Sequence, residues 1–424
     1  MPARRLNGPA RPVTVTLDGR ELVAEEGEPL AASLVAAGAL SLARSPKFHR
    51  PRGPSCFRSA CDGCLARVDD APNVMTCRVR ARAGMHVTTQ NSLGSRKVDL
   101  LRVTDWFFPE GMNHHELFAG VPGVQTVMQA FARRVAGLGR LPGGESGTLP
   151  AASRRHEDVC VVGSGPSGRA TALAFLRRGR KVRLIDDGIE IGGVAVAFGR
   201  DRGPFGPLLA EVNEAVRAGD LTVSLETCAG AFFGADLLVV GERAEIVTAE
   251  TFVLAVGAHD GTWAFEGNDV PGVVSARAAA TMLASGVLVG DTIVLARPFG
   301  GTDLGASFAA RARAAGADVL ELDELPSEAI ASVGSSEVSE VAVMRDGERV
   351  LFDADALVTD FPPCPSHELA VQAGAKVRHE ARGYVVLADA DGRIAPGVVG
   401  VGEMVGTAPT LEAVRAEAER VAGA

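Results

Sequence analysis

This sequence is poor in aromatic residues. Among 424 positions tyrosine occurs once, at Tyr384, and tryptophan twice, at Trp106 and Trp263. That leaves few candidates for an aromatic cage around an organic substrate. No apolar run approaches the roughly 18 residues that a membrane-spanning helix needs. The stretch LAASLVAAGALSL, residues 30–42, has 13 and follows Glu25, Glu26 and Glu28. The basic opening MPARRLNGPARP therefore does not lead into a secretion signal. Positive charge is not in surplus: the net charge is −9, which gives no global reason to expect nucleic acid. No Ser-His-Asp or Cys-His arrangement is visible, and no motif places a general base. Cysteine occurs seven times, an odd number, and four of the seven are clustered, against a secreted disulfide framework. A cytoplasmic chain without a membrane span or a nucleic-acid partner is expected. Hydrophobic residues make up 46%, so two or three domains with sizeable cores are expected at this length.

The chain divides at a Gly/Pro-rich stretch, GLGRLPGGESGTLPAASRRHED, residues 137–158. Upstream, Val13, Val15 and Leu17 alternate with Thr14, Thr16 and Asp18, the period of a half-buried strand. Asp18-Gly19 supplies a hairpin turn, and a second strand and a helix follow. CRVRARAGMHVTT reads as another alternating stretch. The pattern predicts a β-grasp ferredoxin-like domain over residues 1–94, then a helical connector and linker over 95–157. Downstream, HEDVCVVGSGPSGRATALAFLRRGRKVRLIDD is a βαβ opening, and GDTIVLARPFGGTDLGASFAARARAAGADVLELDE repeats that pattern. Residues 158–424 are therefore expected to form an α/β Rossmann-type fold, with a second nucleotide layer inserted at about 265–360.

Cys56, Cys61, Cys64 and Cys77 are spaced C-x4-C-x2-C-x12-C. The first three match the plant-type [2Fe–2S] run. Thiolates are soft, charged donors that both ferric and ferrous iron accept. A loop must carry them, so that the sulfurs converge and backbone N–H groups aim at the cluster. Gly63 allows close wrapping, and Ser55 and Ser59 can add hydrogen bonds. Structural zinc and four unrelated thiols are the alternatives; zinc more often takes two C-x2–4-C pairs. Cys160, Cys228 and Cys364 sit in apolar contexts and are expected in the core.

Gly163, Gly165 and Gly168 form G-x-G-x-x-G, with Pro166 and Ser167 inside the turn. The motif follows an apolar strand and opens a helix. Asp186 lies 23 residues past Gly163, near the distance expected for a ribose contact, and Asp187 follows it. The helix N-terminus would take the pyrophosphate. In the second layer, Arg297, Pro298 and Phe299 stand where the turn should begin with glycine, and Gly300, Gly301 and Gly305 do not restore the spacing. That layer is expected to keep the fold and to have lost or weakened its nucleotide site.

Seven stretches together carry a resemblance: RSPKFHRPRG, DWFFPEGMNHH, VVGSGPSG, IEIGG, VLAVGAHD, DVPGVVSARAAATML and PGVVGVGE. In order along nearly the whole chain, they resemble the alpha subunit of heterotetrameric sarcosine oxidase and its relatives. Those relatives are the opine oxidases, the dye-linked proline and hydroxyproline dehydrogenases and hydrogen cyanide synthase. The resemblance implies a disulfide-reductase-like fold with two dinucleotide domains that binds FAD or NAD. It implies as partner a beta-type subunit that oxidises an amine or amino acid on its own FAD, with room for a small additional subunit. An FMN can sit at the interface. By matching position, Gly163, Gly165, Gly168, Asp186, Gly193, Ala229 and Gly257 would contact the dinucleotide, and Gly402 and Glu403 would touch the flavin ribityl and phosphate.

The departures are specific. The family usually reads ATG where this chain has Ala255-Val256-Gly257, and aspartate where it has Glu403. Sarcosine oxidase lacks the four cysteines; cyanide synthase and the opine oxidases carry such a cluster, often on a separate subunit, whereas here it is fused. No folate-binding domain follows AERVAGA, so tetrahydrofolate-coupled demethylation is not expected of these residues.

Two other clusters stand out. Arg44, Lys47, Arg50, Arg52 and Arg58 lie close together without an acid between them. They are either a solvated loop or an anion site for a flavin phosphate or a partner's acidic face. His114 and His115 lack a nearby acid or thiol to complete a metal site and are expected to be structural. The reading that unites the chain is a one-electron cluster beside a two-electron dinucleotide in an electron-transfer subunit. A self-contained NAD(P)H-dependent ferredoxin-type reductase and a non-redox assembly scaffold are the alternatives.

Overall fold

The computed structural model describes residues 3–45, 50–90, 92, 123–124, 126–127, 151–199, 201–261 and 263–424. Most of the expected helical connector and linker, with His114 and His115, and Lys47 lie outside the described residues. The chain divides into two compact units. One joins Met1–Glu145 to Trp263–Asp360; the other joins Ser146–Thr262 to Phe361–Ala424.

The first unit begins with a five-stranded mixed sheet in the order Arg20–Glu25, Pro12–Leu17, His86–Thr89, Leu65–Val68, Ala71–Met75. The hairpin turn falls on Asp18 (φ 50°) and Gly19 (φ 80°), both left-handed, as a tight turn between Leu17 and Arg20 requires. Val15 and Leu17 point inward and Thr14 and Thr16 outward or to the rim. The helix Leu30–Ala36 is buried at Leu30, Ala31, Ala32, Ser33, Leu34 and Val35. This is the β-grasp arrangement. One stretch differs from the sequence expectation: CRVRARAGMHVTT is a strand only over His86–Thr89. Thr76–Arg78 is a 3₁₀ turn, because Val79 O and Ala81 N–H are committed to Leu30 N–H and Glu28 O rather than to a strand partner.

The same unit contains a four-stranded parallel sheet ordered Val273–Ser275, Ala356–Thr359, Thr292–Arg297, Asp318–Asp323, with the helices Ala276–Ala284 and Asp303–Ala314. The ferredoxin-like part is fastened to it at several points. Arg4 pairs with Asp291 at 2.8 Å, and Arg4–Arg5 adds to Val287–Leu288 as an antiparallel partner. Ser275 N–H donates to Ser55 O at 2.9 Å, one residue from the cysteine loop. Arg52 and Arg50 approach Asp269 at 3.3 and 3.9 Å. The acid absent from the basic loop is thus supplied by this layer.

The second unit is built on parallel strands in the order Leu221–Ser224, Val182–Ile185, Ser153–Val162, Ala244–Leu254, Val398–Gly400. By chain order this is 3-2-1-4-5, the Rossmann order. Val159, Val161, Leu184 and Val253 pack on one side, with Ala170, Leu173 and Phe175 of the helix Pro166–Arg177. Cys160, Val162, Ile185, Phe252 and Leu254 pack on the other. Burial on both faces explains why these strands read as unbroken apolar runs. No helix among the described residues is long and apolar enough to cross a membrane.

Candidate functional site

The four clustered thiols lie on the loop before Leu65–Val68 and on the 3₁₀ turn Thr76–Arg78. Cys56, Cys64 and Cys77 are buried and Cys61 is half-buried. They meet in two pairs. Cys56 Sγ lies 3.3 Å from Cys61 Sγ, and Cys64 hydrogen-bonds Cys77. The Cys56 thiol holds Cys61 down at about 5, aided by hydrogen bonds from Ser55 and the Gly63 backbone. Cys56 itself is pushed up by its bond to Cys61 and by burial. In the other pair Cys64 is lowered by its bond to Cys77, and Cys77 is raised. In each pair the shared hydrogen bond lowers one thiol and raises its neighbour. Two pairs suit a binuclear iron–sulfur unit, which takes two thiolates per iron. A single zinc needs four donors around one point. Among the described residues no three His, Cys, Asp or Glu side chains are gathered closely enough to hold a metal ion of either kind as they stand.

The loop backbone also fits a sulfide-bridged cluster. Arg58 N–H points at Cys56 Sγ (3.4 Å), and Ser59 N–H reaches Cys77. The Ser59 hydroxyl donates to Arg58 O rather than toward a sulfur. Phe57 (φ 51°) and Ser59 (φ 59°) are left-handed, a strained course for residues with side chains. A Cβ on Gly63 would stand 1.8 Å from Gly53 O, so only glycine closes the wrap. Of the remaining thiols, Cys160 is buried, and burial pushes it up to about 12. Cys364 is half-buried, and Cys228 is exposed rather than in the core, because its strand Cys228–Phe233 lies at the sheet edge.

In the second unit the predicted dinucleotide residues collect at the C-terminal ends of the central strands. Gly163 (φ 103°) follows Ser153–Val162, and a Cβ there would lie 2.4 Å from Ala255 O. Gly165 caps the helix that begins at Pro166 and Ser167. A Cβ on Gly168 would lie 1.9 Å from Gly163 O, so the helix packs backbone to backbone on the turn. Gly165 is different: nothing lies within 4 Å of its missing Cβ, which leaves open space over the helix N-terminus. Gly193 and Gly402 close on this region, since a Cβ on the first would lie 2.8 Å from Gly165 Cα and on the second 2.6 Å from Ser167 Oγ. Glu403 Oε2 stands 4.0 Å from the Cβ position of Gly257.

Asp186 ends Val182–Ile185 and serves this turn directly. Its carboxylate accepts Ser164 N–H and Gly188 N–H, both at 2.6 Å. Each oxygen keeps a second lone pair for a hydroxyl donor. Asp187 follows it and is exposed. Ala229, on Cys228–Phe233, packs its side chain on the core beside Phe232. Two residues before it, Thr227 N–H bonds Asp186 O at 2.9 Å.

The sequence reading missed Glu417. This buried residue of the helix Leu411–Gly423 accepts Gly402 N–H at 2.8 Å and the Thr407 hydroxyl. Burial raises its carboxyl above the usual range. It fixes the Gly402–Glu403 turn from below. No local pattern announces such a contact.

The corresponding turn of the other parallel layer is filled by the chain itself. Asp360, 2% exposed, accepts Thr302 N–H (2.7 Å) and the Thr302 hydroxyl (2.8 Å) at the start of Asp303–Ala314. A Cβ on Gly305 would stand 1.9 Å from Asp360 Oδ2. Arg297 lies 3.8 Å from the same carboxylate and 2.8 Å from Glu321. An internal carboxylate thus occupies the helix N-terminus where a phosphate would otherwise be held.

Residues 10–92 match the family described as 2Fe-2S iron-sulfur cluster binding domain. Residues 158–215 match the family of FAD dependent oxidoreductases. The sarcosine oxidase subunit alpha of Rhizobium meliloti (strain 1021) is 28% identical over 412 residues, covering 86% of this chain and 41% of its own length. That of Corynebacterium sp. (strain U-96) is 26% identical over 306 residues, covering 67% of this chain and 28% of its own. The chain thus spans less than half the length of these curated relatives. The structure of L-proline dehydrogenase from P. horikoshii shares the fold, with a TM-score of 0.74 and 22% identity over 100% of this chain and 75% of that one. Over most of its length the chain is thus similar to sarcosine oxidase alpha subunits, and it contains one stretch that matches a 2Fe-2S iron-sulfur cluster binding domain and another that matches FAD dependent oxidoreductases.

Proposed function

We propose that this chain is the alpha-type electron-transfer subunit of a heteromeric amine or amino-acid dehydrogenase or oxidase. The observation that carries the reading is the coexistence of two paired thiol sets with one complete and one self-filled nucleotide turn. A self-contained NAD(P)H-dependent reductase would need both turns. Here Asp360 and Arg297 take the second. Cys56 and Cys61 would hold one iron of a [2Fe–2S] cluster, and Cys64 and Cys77 the other. The turn from Gly163 to Gly168, with Asp186, Gly193, Gly257, Gly402 and Glu403, would hold FAD. When bound, these groups exchange electron pairs for single electrons. The protein's part is to seat them, shield the thiol loop from water and keep Asp186 and Glu417 braced against the turns.

The substrate would be oxidised on a beta-type flavoprotein partner, as the names of the relatives, oxidase subunits alpha, suggest. An FMN at the junction and NAD in place of FAD belong to the same proposal and are read out by releasing cofactors from denatured protein. Reconstitution tests the whole. The purified chain with amino acids and an artificial dye should turn over negligibly, and a beta-type flavoprotein should restore turnover. Steady amine oxidation by the chain alone would overturn the subunit reading. A colourless protein without iron or flavin would instead favour a scaffold.

A further inference from the structure

Arg169 stands four residues after Gly165, in the first turn of the helix Pro166–Arg177. It is 0% exposed. Its backbone N–H bonds Gly165 O, but Nε, Nη1 and Nη2 all lack a hydrogen-bond partner. Burial lowers its pKa to about 10, and repulsion from Arg202 adds to the effect. Arg202 is itself held in a left-handed conformation (φ 60°). Its Nη1 donates to Gly199 O, its Nη2 pairs with Glu190, and its Nε is buried without a partner. That Nε lies 3.5 Å from the Cβ position of Gly192, whose N–H donates to Ser164 Oγ at 3.1 Å.

A buried guanidinium with five unspent donors is not tolerated for its own sake, and a second cation within electrostatic reach makes it worse. Nearby carboxylates are committed: Glu190 to Arg202, and Asp186 to Ser164 and Gly188. The missing partner is therefore an anion from outside the chain. The open space over Gly165 and the helix N-terminus lie in the same turn.

We infer that Arg169, supported by Arg202, is the receptor for the diphosphate of the bound dinucleotide and makes the site selective for diphosphate-bearing nucleotides. The inference rests on the dinucleotide reading above. Its corollary is that FAD and ADP bind, whereas riboflavin, which carries no phosphate, does not.

The test is thermal unfolding and equilibrium binding of the flavin-stripped full chain, with FAD, ADP, inorganic pyrophosphate or riboflavin added. The parent should be stabilised by FAD, ADP and millimolar pyrophosphate, and not by riboflavin. Arg169→Leu should melt at or above the parent without ligand, because a buried unpaired cation is gone. Its affinity for FAD and ADP should fall at least tenfold, and pyrophosphate should no longer shift it. Arg169→Gln, which keeps a polar side chain without the charge, should show the same loss and serves if the leucine variant does not fold. FAD and ADP affinities within twofold of the parent in either variant would overturn the inference while leaving the dinucleotide site standing. A parent stabilised by neither FAD nor ADP would overturn the dinucleotide reading itself.

Discussion

Cys77 is the thiol most remote from its fellows, on a 3₁₀ turn 13 residues past Cys64. Cys77→Ser removes one member of the Cys64–Cys77 pair. Iron and labile sulfide, expected at about two each per chain, should fall below half and the visible absorption should bleach. Flavin content should be unchanged, and stoichiometric zinc in the parent would contradict the cluster assignment. Two glycines of one motif should fail differently. Gly165→Val meets no protein atom near its new Cβ, so it should leave the melting temperature intact and abolish flavin binding. Gly168→Ala drives a Cβ into Gly163 O and should cost the fold at least about 3 kcal/mol, seen in denaturant titration. The glycine spacing and the cysteine run were legible in the sequence because each is local and its chemistry dictates its residue types. Arg169 was not: its position in a helical pattern reads as an ordinary charged residue, and only its burial marks it.

At the scale of elements, the same limit shows in the carboxylates that brace backbone turns. Asp360 reaches Thr302 across 58 residues, Glu417 reaches Gly402 across 15, and Asp269 answers Arg52 across more than 200. Alternation and turn dipeptides reveal strands and hairpins; they carry no trace of what a distant side chain will cap. The false strand at residues 77–85 has a related cause: Val79 and Ala81 commit their backbone groups to Leu30 and Glu28, which makes one isolated bridge between Pro29 and Arg80 rather than a ladder. Asp360→Ala strips the acceptor from two half-buried Thr302 donors and an anion from Arg297, and should destabilise by about 2 kcal/mol. Glu417 gives a pH test. Its folded-state pKa is raised, so its contribution is full at acid pH and is lost as pH rises through that raised value. Melting temperatures of the parent should therefore fall relative to Glu417→Gln as pH rises above the ordinary glutamate range. Parallel curves would mean that Glu417 titrates as an ordinary surface glutamate.

For the whole molecule, the decisive feature is the order in which the chain visits its two units. It leaves the first after Glu145, builds part of the second, returns for Trp263–Asp360, and only then supplies Val398–Gly400. Ser55 and the Ser275 N–H that bonds its carbonyl are 220 positions apart (275 − 55). At ribosomal rates that gap lasts on the order of 10–40 s. During that time the cysteine loop exists without the layer to which Ser55 later bonds, so the nascent thiols are open to whatever delivers iron and sulfide. Stalling translation near residue 262 should leave Cys56, Cys61, Cys64 and Cys77 quick to alkylate, and release past residue 360 should slow the reaction sharply. On that timetable the cofactor is a guest that must arrive before the door is hung.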